Sequence, residues 1–313
     1  MKGIELSETF YLAYGKPMLQ AKFPELFSSI AVGLVGRGSE CFGYDDGLSQ
    51  DHDFEPGFCI FLPDEDVIDS RTAFALERAY AKLPREFMGY QRSLLDPVGG
   101  NRHGVIRMSD FLKEKTGVPN GRLSLMDWFF VPEQSLAEVT NGRIFFDGSG
   151  ALTAIRKELA YMPEDVRLKK LAGKLLIMGQ AGQYNYGRCI ARGETAAAQL
   201  AMAEFVNAAL HVIFLLNKTY LPYYKWSFRA LRGLPLLSAL HEPLEYLISS
   251  GNNGGEAAKK EQITEDICSD IIAVLQQQSL TAFGGSEAEG HAYSVNDRIG
   301  DGQIRNLHIL YAV

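Results

Sequence analysis

Disulfide and zinc chemistry are the first possibilities this sequence excludes. It holds only four cysteines, Cys41, Cys59, Cys189 and Cys268, far apart and with no C-x-x-C pair. A reducing, cytoplasmic setting is therefore the expectation. Positive charge is also scarce, with 31 Lys and Arg against 38 Asp and Glu and a formal net charge of −7. Such a surface does not favour long nucleic acid, and it is compatible with a small cationic substrate. The six histidines form no metal-binding pattern, so His52-Asp53 does not read as a His-Asp phosphohydrolase site. The opening M-K-G-I-E-L-S-E-T-F lacks the long apolar core of a leader, and no internal repeat is visible. Long apolar runs are missing too, except from Thr195 to Leu216. Glu204, Asn207 and His211 interrupt that run, and charge at mid-bilayer is costly, so a buried helix is expected and no membrane partner.

What is present is an ordinary globular composition, 46% apolar and 22% charged over 313 residues, long enough for two domains. The pattern changes near residue 150, which gives an expected α/β domain over 1–150 and a helical one over 151–313. Ser7 is a candidate N-cap for a first helix carrying Phe10, Tyr11 and Tyr14 on one side. Ile30–Gly36 and Gly57–Pro63 read as strands, the second apolar enough to be buried on both faces, with Cys59 in the core. Residues 69–90 look helical, Gly104–Met108 looks like a strand, and Leu123–Phe130 fits either. Pro132 suits a helix N1 position, and Gly142–Gly150 reads as a short strand and turn. Beyond it lie amphipathic helices, with Pro222 as the stop for the apolar one. Gly251–Gly255 reads as a flexible break, and G-G-S-E-A-E-G-H as a mobile loop.

Chemistry concentrates between Val35 and Phe54, in V-G-R-G-S-E-C-F-G-Y-D-D-G-L-S-Q-D-H-D-F. A glycine after a strand lets the chain turn tightly and lets a phosphate approach, and successive N–H groups there form an anion nest. Gly38 and Ser39 are the candidate phosphate turn, with a helix start at Ser39 adding favourable polarity. Alternation places Asp51 and Asp53 on one face and His52 on the other. Two such carboxylates need a cation between them, and hard oxygen ligands beside phosphates suit Mg²⁺. Asp45-Asp46-Gly47 reads as a plain turn.

The spacing of G-S, eleven residues, then D-x-D resembles the signature of the DNA polymerase β-like nucleotidyltransferase superfamily. The fuller G-R-G-S-E…D-H-D-F form resembles one bacterial branch, a domain of unknown function related to antibiotic-modifying nucleotidyltransferases. The likeness continues in D-W-F-F-V-P-E-Q-S-L-A-E-V-T-N-G-R-I-F-F-D, R-C-I-A-R-G-E and L-N-K-T-Y-L-P-Y-Y-K-W, over most of residues 7–235. It implies an α/β (α+β) nucleotidyltransferase domain with a small mixed sheet, followed by a C-terminal α-helical bundle. It implies Asp51 and Asp53 as metal ligands, and Gly38 and Ser39 as the turn for the nucleotide phosphates. The superfamily often adds a third carboxylate from a later strand. G-V-I-R-M offers none, so Asp127 is the first candidate and Asp110 the second.

In the helical half, Arg188 and Arg192 stand one turn apart and share a face. With Lys218 and Lys225 they are candidate contacts for the β- and γ-phosphates. Tyr220, Tyr223 and Trp226 are candidates to stack on a base or sugar. Plainer roles stand beside these: Arg188 and Arg192 as surface ion-pair partners, the Tyr223–Trp226 stretch as a helix end, and Asp127-Trp128 as a hydrogen-bonded acid beside a buried ring. The expected activity is Mg²⁺-dependent transfer of a nucleoside monophosphate from a triphosphate, ATP favoured, to a hydroxyl acceptor. A small molecule is favoured as acceptor, with protein or tRNA as alternatives. The competing expectation is a degenerate nucleotide sensor or partner-binding module. Acceptor identity, base preference and oligomeric state are left open.

Overall fold

The computed structural model describes residues 1–48, 54–92, 102–311 and 313. The chain divides into two compact units, the first of residues Met1–Asp127 and Val131–Ala160, the second of Trp128–Phe130 and Tyr161–Val313. The fold class is mixed α/β with a small mixed sheet, followed by a helical region.

Strands β1 (Ala31–Leu34), β2 (Cys59–Leu62), β5 (Gly104–Arg107) and β6 (Arg143–Asp147) form one sheet in the order β5-β2-β1-β6. Strand β1 is antiparallel to both neighbours, and β2 and β5 are parallel. Every residue of β1 and β2 is buried, as their unbroken apolar runs require. Register aligns Gly33, Cys59 and Gly104 at one end of the sheet. The C-terminus of β1 and the N-termini of β2 and β5 therefore share that end, which is where the glycine turn leaves β1. A bulge between Val32 and Gly33 shifts the pairing with β6 just before the turn.

The helices in this part of the chain are α1 (Gly3–Phe10), α2 (Lys16–Lys22), α3 (Ser39–Phe42), α4 (Ser70–Ala81), α5 (Met108–Thr116), α6 (Leu125–Phe130), α7 (Glu133–Thr140) and α8 (Ala151–Glu158). The core joins Phe10, Tyr11 and Leu19 from the first helices to Val32, Phe58, Ile60 and Leu76. Several expectations are corrected. Ser7 is not an N-cap: it lies buried inside α1 and donates to Gly57 O at 2.5 Å. Lys2 is the N-cap, its N–H donates to Glu5 Oε2 at 3.1 Å, and Asp45 Oδ2 accepts from Gly3 N at 2.9 Å. Asp45 is thus a buried structural acid rather than part of a plain turn. Helix α4 ends at Ala81, and Glu86–Phe87 (β3) pairs with Tyr90–Gln91 (β4) in a hairpin. Its central residues Met88 and Gly89 both have positive φ, the backbone a tight two-residue turn demands. Within Leu123–Phe130 the helix covers Leu125–Phe130, and Pro132 stands at the N-cap rather than N1.

The second unit is built from α9 (Glu164–Met178), α10 (Gly187–Ala191), α11 (Thr195–Leu216), α12 (Tyr224–Leu231), α13 (His241–Ser249), α14 (Gly255–Gln277), α15 (Ala288–Asn296) and α16 (Gly302–Asn306). A π-helical stretch, Gly179–Tyr186, joins α9 to α10. By length and composition α11 could cross a membrane; in the fold it packs against α9, α13 and α14. Glu204 and Asn207 lie on an exposed stripe, with half-buried His211 one turn on. Helix α11 stops at Leu216, before Pro222. Lys218 takes positive φ, its N–H donates to Leu215 O at 3.2 Å, and Thr219 N–H donates to Phe214 O at 3.1 Å. This is a Schellman termination with lysine where glycine is usual.

The two segments read as loose are tied down. Buried Lys260 donates to Ser250 O at 2.8 Å and to Asn252 Oδ1 at 3.0 Å, which fastens Gly251–Gly255. Burial lowers the Lys260 pKa. In G-G-S-E-A-E-G-H, fully buried His291 lies 2.9 Å from both Gly285 O and Thr281 Oγ1. A carbonyl can only accept, so His291 Nε2 carries the hydrogen shared with Gly285 O.

Candidate functional site

The turn from Val35 to Ser39 is shaped by two glycines. Gly36 has φ +106° and Gly38 has φ +119° with ψ 145°, backbone regions that side chains rarely tolerate. Asn141 locks the first of them. Its Oδ1 accepts from Gly36 N–H at 2.9 Å, and its Nδ2 donates to Gly36 O at 2.8 Å. Gly142 follows because the chain there lies against Leu34 O, where any Cβ would overlap. Its N–H donates to Cys41 O at 2.8 Å. Arg156, from α8, donates to Thr140 O at 2.9 Å and Asn141 O at 2.5 Å and so supports the clamp from behind. Burial lowers the Arg156 pKa to about 10, so it remains charged at neutral pH. Helix α3, which starts at Ser39, is a single turn of four residues. The proposed cradle therefore rests on the clamped backbone rather than on a helix dipole.

Charged groups frame the turn. Glu40 is buried and ion-paired with Arg102, which stands just before β5. A methyl group on Gly38 would overlap both the Arg102 Nη2 and the Glu40 carboxylate. His103 Nδ1 lies 3.1 Å from Glu55 Oε1. Arg37 lies 3.2 Å from Glu114 and 3.8 Å from Glu138, and Lys115 lies 2.6 Å from Glu138. Burial, with Glu40 second, pushes the Cys41 thiol well up. Burial likewise pushes Cys59 up to about 12. Both thiols are held protonated at neutral pH, which removes them as nucleophiles.

Gly38 and Ser39 stand where the sequence places them, on the turn after β1. Asp51, His52 and Asp53 lie outside the described residues. Among the described residues, no group of three or more His, Cys, Asp or Glu side chains could hold a metal ion. Asp127 sits in the first turn of α6 and closes a capping box. Its Oδ2 accepts from Ser124 N at 2.8 Å and Ser124 Oγ at 2.7 Å, and its own N–H donates back to Ser124 Oγ at 3.2 Å. The Ser124 bonds hold its carboxyl below the usual range, which makes it a weaker base. Asp110 is exposed in the first turn of α5, beyond the Arg107 end of β5, whereas the glycine turn lies at the Gly104 end.

In the second unit Arg188 is exposed, donates to Tyr184 Oη at 2.6 Å and stacks on that ring at 4.6 Å. Arg192 closes α10 as its C-cap and is exposed. Lys218 lies 3.6 Å from Glu164, and Lys225 stands 5.0 Å over the Trp226 ring. Tyr220 is buried and stacked on Tyr161, so it belongs to the core of this unit rather than to an open base platform.

Sequence reasoning missed Asn141, Gly142, Arg102 and Glu40. The N-G pair before β6 was the one available signal, since Asn-Gly marks a demanding turn. Nothing local marks Arg102, because its partner is 62 residues away.

The chain is similar over residues 128–227 to a family described only as a domain of unknown function, DUF4037. No curated protein matches it. Among solved structures it is similar to a nucleotidyltransferase-like protein from Exiguobacterium sibiricum 255-15. That match has a TM-score of 0.37 and 12% identity, covering 89% of this chain and 78% of that one.

Proposed function

We propose that this protein is a Mg²⁺-dependent nucleotidyltransferase. It moves a nucleoside monophosphate from a triphosphate, ATP favoured, to an acceptor hydroxyl. The acceptor oxygen forms a bond to the α-phosphorus, the bond to the bridging oxygen breaks, pyrophosphate leaves, and the hydroxyl proton passes to a base. The observation that carries the reading is the turn after β1, with positive φ at Gly36 and Gly38 and the Asn141 clamp fixing its backbone. Such a turn presents backbone N–H groups to a phosphate once the Glu40 carboxylate beside Gly38 gives way.

Asp51 and Asp53 are the proposed metal ligands, and their carboxylate oxygens suit the ion. A bound Mg²⁺ would neutralise charge on the phosphates. Asp127 is the proposed base, and to serve it must leave the Ser124 cap. Arg188, Arg192, Lys218 and Lys225 are further proposed nucleotide-binding residues. The net charge of −7 favours a small-molecule acceptor. A cytoplasmic location is proposed from the cysteine usage.

The test is incubation with Mg²⁺, each α-labelled triphosphate and a cell extract as acceptor source. Label should transfer with wild type and vanish in Asp51→Asn and Asp53→Asn, a loss of at least about a hundredfold by the usual weight of such electrostatic groups. A second reading, nucleotide binding without transfer, is favoured by one observation, the commitment of Asp127 to the α6 cap. It predicts a triphosphate-dependent rise in melting temperature with no pyrophosphate released.

A further inference from the structure

We infer that Arg102 is a phosphate-binding residue of the glycine turn, held by Glu40 until a polyphosphate displaces that carboxylate. The inference rests on the nucleotide-binding part of the reading above. Sequence alone directs the search for phosphate cations to the helical half, whereas the fold brings one from within the α/β unit. Gly104 aligns with Cys59, and Cys59 with Gly33, so the chain before β5 and the chain after β1 meet at one sheet end. Arg102 is fixed there by its backbone, whose carbonyl accepts from Cys59 Sγ at 3.2 Å. Its guanidinium lies on the open face of Gly38, where a Cβ would collide with it, beside the Glu40 carboxylate. Absence of a side chain at Gly38 is therefore what lets a cation lie on the turn.

The pair is enclosed but not sealed: the Arg102 side chain is 20% exposed and that of Glu40 10%. A guanidinium presents a planar fork of donors that fits carboxylate and phosphate alike. Exchange of Glu40 for a ligand leaves a buried carboxylate without its cation, which is costly. A triphosphate, with more negative charge than a monophosphate, recovers more of that cost, and the pair thus favours a triphosphate.

The experiment is calorimetric titration of ATP, ADP and AMP into wild type, Arg102→Gln, Arg102→Lys and Glu40→Gln, with melting temperatures recorded without nucleotide. Arg102→Gln should weaken ATP by about tenfold or more, and AMP much less. Arg102→Lys, which keeps charge but loses the fork, should fall between and guards against a variant that fails to fold. Glu40→Gln should melt lower without nucleotide yet bind ATP several-fold tighter, two changes of opposite sign. Lower melting with unchanged ATP affinity in all three variants would make the pair purely structural and overturn the inference while the wider reading stands. Weaker ATP binding in Glu40→Gln would also overturn it. If wild type binds no triphosphate, reading and inference fall together.

Discussion

At the scale of the residue, Asn141 and Gly38 illustrate how one side chain, or its absence, fixes a turn. Asn141 gives Gly36 both an acceptor and a donor. Asn141→Asp keeps the acceptor, loses the donor and sets a carboxylate against Gly36 O. The expected cost is about 1–3 kcal/mol, with weaker triphosphate binding, read from urea unfolding and titration. An unaltered midpoint would show that the turn holds without the clamp. None of this was legible locally, because Asn141 and Gly36 stand 105 residues apart and meet only when β6 pairs with β1. The cysteines were easier to place. The apolar run around Cys59 announced its burial, and Cys41 and Cys268 are buried as well, leaving only Cys189 partly exposed. A thiol reagent at neutral pH should therefore show one fast-reacting group, absent in Cys189→Ser. A fast group that persists in that variant would mean one of the other sites opens readily.

Elements were legible in their middles and misread at their ends. The apolar runs of β1 and β2 needed no tertiary knowledge, since a strand buried on both faces has few other sequences available. Helix boundaries depended on distant partners. At the start of helix α1 Glu5 takes the Lys2 N–H and the distant Asp45 takes the Gly3 N–H, and no Ser7-based cap could reveal that. Asp45→Ala should cost about 1–2 kcal/mol, the usual weight of a lost capping bond, measured by chemical denaturation. Two residues past the end of helix α11, Lys218 takes a left-handed conformation, where a Cβ is disfavoured. Lys218→Gly should stabilise the protein by about 1 kcal/mol. The same variant should weaken triphosphate binding if Lys218 also serves as a phosphate contact, so stability and affinity are measured on one sample. A loss of stability would show that the Glu164 pair outweighs the backbone gain.

For the whole molecule, burial of neutral acids makes stability depend on alkaline pH. Burial raises Cys59 from 9.0 to about 12 and Tyr11 from 10.0 to about 12. The unfolded chain releases these protons first, so between about pH 9 and 12 it binds fewer protons than the native state and stability falls as pH rises. Below pH 9 the Cys59 contribution is complete. The gap in urea midpoint between wild type and Cys59→Ala should therefore narrow above about pH 9; a constant gap would contradict the burial effect. The sequence pattern changes near residue 150, and the compact first unit runs to Ala160. Helix α8 looks like its helical successors in sequence, but Asp147 caps it and Arg156 carries it back to Thr140 and Asn141. What the sequence determined alone was what repeats locally: buried strands, amphipathic helices, and a glycine-serine turn spaced from paired acids. What only tertiary structure decided was which distant groups complete those features. Asn141 on Gly36, Arg102 on Gly38 and Asp45 on Gly3 are each fixed by sheet register and packing, which no local pattern encodes.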